Sequence, residues 1–248
     1  MSISPHPTAA LTRLLAHAGR RLGAALLPQD CFLCGAASGD ELLCRACSDD
    51  LPRLPAWRCP ICALPTPRGE TCGACLKRSP HFDATFACFS YDFPVDRLIQ
   101  ALKYQHRLVI SDFLAAALLE ASPLPLVPTI PAGLLLALPL SAQRLRQRGF
   151  NQALEIARPL AGHLGLPLLL DGYRRVVDTA PQASLPWQER RKNIQGAFEC
   201  ALDLSGKTVI VVDDVMTTGA TLDEFARTLK KHGAATVINW VAARTLRH

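Results

Sequence analysis

Residues 209–221, VIVVDDVMTTGAT, place two adjacent carboxylates directly before a short run of hydroxyls and glycine. Four β-branched apolar residues lead into Asp213 and Asp214, and Thr217, Thr218, Gly219, Ala220 and Thr221 follow. The helical pattern LDEFARTLKKHG comes next. This order predicts a buried parallel strand opening at its carboxyl end into a loop and a helix. In an open α/β sheet, ligands sit at that end. The first N–H groups of a helix lack intrahelical partners, and the helix dipole adds positive potential, so the loop suits an anion. Gly219 allows a positive φ or a close backbone approach. The threonines add hydroxyl donors, and Thr221 is placed to cap the helix. Asp213 and Asp214 supply acceptors. A phosphate and neighbouring sugar hydroxyls would satisfy both halves. An ordinary capped turn would explain the glycine and threonines. It would not explain two carboxylates at a strand end, where burial without partners is costly.

Other phosphate signatures fail. Gly206-Lys207-Thr208 resembles the end of a P-loop, but Ala201 stands where the first glycine is needed, and the triplet precedes its strand. No G-x-G-x-x-G is present. These absences exclude a P-loop ATPase and a Rossmann dehydrogenase.

Eight cysteines form four C-x-x-C pairs: Cys31/Cys34, Cys44/Cys47, Cys59/Cys62 and Cys72/Cys75. Each pair can give two thiolates to a tetrahedral Zn²⁺, and two pairs complete a site, so four pairs imply two zinc ions. Sequential pairing makes two successive ribbons; a crossed arrangement, first pair with third, also satisfies the spacing. Disulfides compete with this reading, but no secretory segment is visible, which points to a reducing, cytoplasmic compartment. Structural zinc can contribute on the order of 10–16 kcal/mol to folding so small a segment. All ligands being cysteine, with no open position, argues against catalysis by zinc. Cys88 and Cys200, outside the pairs, read as core thiols.

Arginines form the third chemical signal. Arg144, Arg146 and Arg148 directly follow the apolar run LLLALPL, and a Gly-Phe turn and a helix come after them. Arginine matches dense negative charge with a planar, permanently charged fork of donors. Arg144 and Arg148 are therefore candidate anion ligands, and Leu140 and Ser141 could offer backbone N–H groups. A solvated basic loop is the plainer alternative. Residues 174–192 mix Arg174, Gln182 and Arg190 with little periodicity, and Asn193 follows. A polar-lined lid and a surface loop account for them equally well. Lys103, in ALKYQHR, is a weaker candidate, because a single lysine beside an aromatic usually faces solvent.

The elements that must position these groups can be read from the pattern. The chain has 248 residues, enough for one α/β domain and a small module. No apolar run reaches the roughly 18 residues that span a bilayer. A boundary near residue 80 divides an amphipathic basic lead-in (1–27) and a cysteine-rich module (28–80) from an α/β domain (81–248). In that domain HFDATFACFSY and LLLALPL predict strands, PVDRLIQALKYQ, 111–121 and NQALEIARPLAGHLG predict helices, and SPLPLVPTIPAG is a connector. KNIQGAF suggests part of a hairpin. Strand 208–213, helix 221–232 and strand 235–242 finish a mostly parallel sheet flanked by helices. The formal charge of +6 falls to +2 once eight thiolates and two Zn²⁺ are counted. The net charge is thus a weak argument for nucleic acid, although residues 143–192 hold nine Lys/Arg against four Asp/Glu.

The stretch at 209–221 resembles the phosphoribosyl pyrophosphate (PRPP) loop of type I phosphoribosyltransferases. That resemblance implies ribose binding by Asp213 and Asp214, phosphate binding by Thr217, Thr218, Gly219, Ala220 and Thr221, and a PRPP contact from Val215. With R-x-R-x-R-G-F-N-Q-A, R-x₇-Q-x₇-R-x-x-N and the four C-x-x-C pairs, the chain from about Pro28 onward resembles the ComF family. The resemblance implies a type I phosphoribosyltransferase-like fold behind a double zinc ribbon, Mg²⁺ carried with PRPP, and a role in competence or the use of external DNA. It adds Leu140, Ser141, Arg144, Arg148 and Arg190 to the expected PRPP contacts. Asp213 and Asp214 are the expected catalytic pair, with the acceptor unspecified. The competing function is a PRPP-sensing factor that binds single-stranded DNA or DNA-uptake proteins. Low aromatic content, 6%, weakens the DNA reading, because single-strand binders interleave aromatic and basic residues.

Overall fold

The computed structural model describes residues 29–122, 133–177 and 194–246. The lead-in 1–27, most of the proline-rich connector and most of 174–192, with Gln182, Arg190 and the adjoining Asn193, lie outside the described residues. The chain divides into two compact units, Met1–Leu51 and Pro52–His248. The second cysteine quartet belongs to the larger unit.

In the first unit, strand β1 (Gln29–Asp30) pairs antiparallel with β2 (Ala37–Gly39), and the short helix α1 (Arg45–Asp49) follows. Cys31 N–H donates to Ala36 O at 2.7 Å, and Gly35 N–H donates to Cys31 O at 2.9 Å. The larger unit begins with the same knuckle. Cys59 N–H donates to Leu64 O at 2.7 Å, and Ala63 N–H donates to Cys59 O at 2.9 Å. Gly35 and Ala63 occupy equivalent turn positions, with φ of 73° and 59°. Cys44 and Cys72 each precede a single-turn helix, α1 and α2 (Gly73–Lys77), in extended conformation.

The core of the larger unit is a five-stranded sheet. In chain order its strands are β3 (Ala84–Ser90), β4 (Gly133–Ala137), β5 (Leu168–Leu169), β8 (Thr208–Met216) and β9 (Thr236–Arg244). In space the order is β3-β9-β8-β4-β5, with every pairing parallel. Runs of β-branched residues such as TVIVV keep β8 buried through nearly its whole length. Burial of both side-chain parities requires cover on both faces. Helices α4 (Val109–Ala121) and α6 (Gln152–Leu164) pack on each other and on the sheet. Helix α7 (Ala220–Lys231) packs on β9 and on an antiparallel pair, β6 (Tyr173–Arg175) and β7 (Phe198–Cys200). There Phe225 meets Tyr173 and Phe198, with ring centroids 5.7 and 5.0 Å apart. The edge strand β3 is not left bare. Residues 52–60 bond along it, through Ser90 N–H to Pro52 O, Leu54 N–H to Cys88 O and Thr85 N–H to Pro60 O. This covers an edge that would otherwise be open to pairing with another chain.

Several local expectations change. The strand expected over LLLALPL ends at Ala137, short of Pro139, whose nitrogen carries no hydrogen for the ladder. The strand expected to close at Asp213 continues to Met216 as a partner of β9, so both aspartates lie inside β8. The arginine run is not a loop but a helix, α5 (Ala142–Arg148), capped by Ser141, whose Oγ accepts from Arg144 N–H at 3.4 Å. Thr221 does not cap α7; Gly219 holds the cap position, at φ 81°. A β-carbon on Gly219 would meet Met216 Cε at 2.5 Å, the far end of a side chain that can swing aside, so the positive φ rather than space is what calls for glycine there. Cys88 is a core thiol, pushed up to about 12 by burial, whereas Cys200 is only half-buried.

Candidate functional site

At the carboxyl edge of the sheet, a cavity of about 170 Å³ joins the end of β8, the loop to α7, the segment after β4, and helix α3 (Val95–Gln105). Asp213, Asp214 and Val215 line it, as do Thr217, Gly219, Ala220 and Thr221 of the loop. Leu140, Arg144 and Arg148 face them from the segment after β4. Two expected contacts stand elsewhere. Ser141 is buried as the cap of α5 and bridges to Arg175. Thr218 lines a different cavity, and its Oγ accepts from Ala220 N–H at 3.3 Å. Arg190 lies outside the described residues.

Three polar residues outside the expected PRPP contacts also line the cavity: Lys103, a weaker candidate in the sequence, Gln152 and Arg175. Lys103 is the largest departure, since it forms an ion pair with Asp214 rather than facing solvent. The signal that could have found it is its place in α3. Leu98, Ile99 and Leu102 are fully buried, and Lys103 comes one residue after that apolar face. Gln152 begins α6, whose cap is Asn151; Asn151 Oδ1 accepts from Ala153 N–H and its Nδ2 donates to Leu138 O, both at 3.0 Å. This cap fixes where α6 starts and therefore where Gln152 points. Gln152 Nε2 donates to Asp214 Oδ1 at 2.9 Å, and Gln152 Oε1 accepts from Arg148. The Arg148 guanidinium also lies 5.6 Å from the centre of the Tyr104 ring. A continuous polar chain thus runs from Arg148 through Gln152 to Asp214 and Lys103.

The two acids differ sharply. Asp213 and Asp214 are 9% and 3% exposed. Burial, and then the charge of Asp214, push Asp213 well above the ordinary carboxylate range. Burial would raise Asp214 too, but the charge and hydrogen bond of Lys103 and the amide of Gln152 overcome it and hold Asp214 low. Lys103 answers in kind. Burial would lower its pKa, yet the Asp214 charge keeps it raised. Asp214 is therefore the acid of the pair that ionises first, balanced by Lys103, and Asp213 holds its proton to higher pH. Arg144, Arg148 and Arg175 add cations to the rest of the lining.

Arg244 anchors the loop from behind. It is 3% exposed; its Nη1 donates to Met216 O and Thr245 O at 2.9 and 2.8 Å and also to Thr217 O, and its Nε donates to Cys62 O at 2.9 Å. One guanidinium thus ties the second cysteine knuckle to the start of the 217–221 loop.

Cysteines Cys31, Cys34, Cys44 and Cys47 bring their sulfurs together, as do Cys59, Cys62, Cys72 and Cys75, each set within 4.8 Å. Pairing is therefore sequential, not crossed. Zinc–sulfur bonds of about 2.3 Å at tetrahedral angles put sulfurs roughly 3.8 Å apart. Cys34 to Cys44 at 3.7 Å and Cys62 to Cys72 at 3.6 Å match that spacing. Burial would raise the pKa of Cys31, but backbone N–H groups of Cys44, Cys34 and Leu33 bring it down to about 6, favouring the thiolate a metal takes. The eight thiolates fit two structural zinc ions. Among the described residues no helix is long and apolar enough to cross a membrane.

A double zinc ribbon domain model matches residues 22–76, and a phosphoribosyl transferase domain model matches residues 151–246. The DNA utilization protein YhgH of Salmonella typhi is 34% identical over 230 residues, covering 89% of this chain and 99% of its own. Competence protein F of Haemophilus influenzae is 32% identical, over 82% of this chain and 90% of its own. Competence protein ComFC of Bacillus subtilis is 25% identical, over 81% and 82%. Identity at that level across nearly the full length of these relatives, together with both domain matches, means that the chain belongs to the ComF family.

Proposed function

We propose that the protein binds PRPP at the carboxyl edge of its sheet and transfers the phosphoribosyl group to an acceptor, with pyrophosphate as the leaving group. The observation that carries this reading is the arrangement of a buried, adjacent acid pair beside the N-terminus of α7 and opposite Arg144 and Arg148. In this reading the reaction serves competence or DNA utilization, which the names of the relatives support, and it runs in the cytoplasm.

In this scheme the 5′-phosphate accepts from backbone N–H groups at the start of α7 and from threonine hydroxyls. Asp214 and Asp213 each hydrogen-bond a ribose hydroxyl, with Asp214 the stronger acceptor because it ionises first. The bond between the sugar carbon and pyrophosphate breaks, pyrophosphate leaves with the electron pair, and the acceptor's lone pair closes the new bond. Positive charge develops on the sugar as negative charge develops on the leaving oxygen. The Asp214 carboxylate favours the first, and the arginines favour the second. Because both hard oxygen donors lie at the sugar position, Mg²⁺ would be held by the pyrophosphate oxygens and water, neutralising the leaving group when bound. Geometry and electrostatics supply the rate, with no dedicated proton shuttle.

The test is calorimetric titration of PRPP into the wild type and into an Asp213→Asn, Asp214→Asn double variant. Binding lost in a folded variant supports the site; unchanged binding removes it. Pyrophosphate release across a panel of acceptors then identifies the nucleophile.

A second reading, a PRPP-sensing factor that contacts single-stranded DNA, draws on Trp57. Its ring is 64% exposed, packs on Gly69 beside Arg68, and adjoins Arg58. A stacking aromatic among cations is what single-strand binding uses. Loss of a salt-sensitive gel shift in Trp57→Ala, with PRPP binding intact, supports it.

A further inference from the structure

A larger cavity, about 600 Å³, backs onto the other side of the 216–220 turn. Its walls come from the second cysteine module and the first turn of α7. The buried side chains of Phe82 and Met216, with Leu64 and Pro80, form an apolar slab. Lys77 and Arg78 line the same cavity from the end of α2 and just beyond. Among the described residues neither cation has an acidic partner. The acid in the wall, Asp223, is already engaged by His81, through its backbone N–H at 2.7 Å and its ring Nδ1 at 2.8 Å. Met216, Gly219 and Ala220 line both cavities.

We propose that this cavity is a second ligand site, for a nucleoside monophosphate. Its volume falls in the range of small-molecule pockets. The apolar slab suits the faces of a planar base, and the two unpaired cations suit its phosphate. A simple anion would gain nothing from Phe82 and Met216, and an apolar ligand would leave Lys77 and Arg78 unused. The shared turn couples the sites. A ligand that orders Met216 and Gly219 from one side lowers the cost of ordering them for a ligand on the other, so affinities rise together and reciprocally.

The full-length zinc-loaded protein is titrated with thymidine monophosphate in saturating ribose 5-phosphate, which fills the phosphate loop from the PRPP side. Binding that persists, and that weakens about tenfold or more in Lys77→Ala with Arg78→Ala, is the expected result. Both lysine and arginine are exposed, so these variants keep the fold. Ala74→Trp, an exposed substitution in the wall, fills the space and abolishes nucleotide binding, while ribose 5-phosphate still binds. No binding, displacement by ribose 5-phosphate, or indifference to all three substitutions overturns the proposal. The Asp213→Asn, Asp214→Asn variant separates it from the PRPP reading, because nucleotide binding should survive there. A short thymidylate strand run alongside tells a free nucleotide from a strand terminus: tighter binding of the strand assigns the terminus, and tighter binding of the monomer assigns the free nucleotide.

Discussion

Lys103 and Asp214, far apart in the chain, form an ion pair on the floor of the cavity at the carboxyl edge of the sheet, with side chains only 18% and 4% exposed. One comes from a helix and the other from a central strand, so the pair exists only when α3 has docked on the sheet. Removing one partner of a buried pair leaves an uncompensated charge, which costs about 3–5 kcal/mol. Lys103→Met should therefore destabilise the larger unit by that order and raise the pKa of Asp214. Urea unfolding followed by tryptophan fluorescence measures the first effect, and carboxyl-carbon NMR titration measures the second.

The adjacent acids should respond to neutralisation with opposite signs. Asp213 has a raised folded pKa, so the native state binds more protons than the unfolded chain, and stability falls as pH rises above about 4. Asp213→Asn removes that loss. It should be more stable than wild type at pH 7, by a margin that grows upward from pH 4 until the folded pKa is passed. Asp214 has a lowered folded pKa, so its contribution is present above about 4 and is lost only as pH falls through the folded value. Asp214→Asn should be less stable at pH 7, with a deficit that fades in acid. Unfolding midpoints between pH 3 and 8 decide both.

Gln152 should couple the anion arm of the site to its sugar arm. Its amide accepts from Arg148 and donates to Asp214, so each fixes the other through one side chain. Arg148→Met and Asp214→Asn, made singly and together, should lose PRPP affinity non-additively, by about 0.5–3 kcal/mol of interaction. In a Gln152→Leu background the two losses should add. A purely structural role for Gln152 would weaken every variant equally and leave the interaction energy unchanged.

Arg244 should transmit the state of the second zinc site to the phosphate loop. Replacing it with methionine orphans the carbonyls of Thr217 and Cys62 and leaves Met216 O with Thr245 N–H alone, at a cost of about 1–3 kcal/mol for each buried group left unsatisfied. Arg244→Met and Cys59→Ser with Cys62→Ser should both lower PRPP affinity. Cys31→Ser with Cys34→Ser, in the separate unit Met1–Leu51, should change it less. Equal effects from the two cysteine pairs would contradict the link.

The sequence by itself determined whatever depends on neighbours along the chain. The β-branched run before Asp213, the glycine of the turn, and the C-x-x-C spacing each encode a local geometry: a buried strand, a left-handed residue, a two-thiolate knuckle. From these followed the parallel sheet, the anion-suited loop and two four-cysteine centres. Local pattern also misled. Arg144, Arg146 and Arg148 read equally as a solvated loop, because a short helix that buries no face leaves no apolar period to mark it. Only the tertiary structure decided which distant groups meet. Lys103 is marked in the sequence only by its place beside the apolar face of α3, and its pairing depends on where that helix lands. Gln152 and Arg244 are likewise ordinary polar residues until α6 and β9 bring them to Asp214 and to the loop. Sequential rather than crossed cysteine pairing was settled the same way, by which sulfurs converge. The opposite titration of two adjacent aspartates has the same origin, because burial alone would raise both, and the docked lysine with the Gln152 amide makes them unequal.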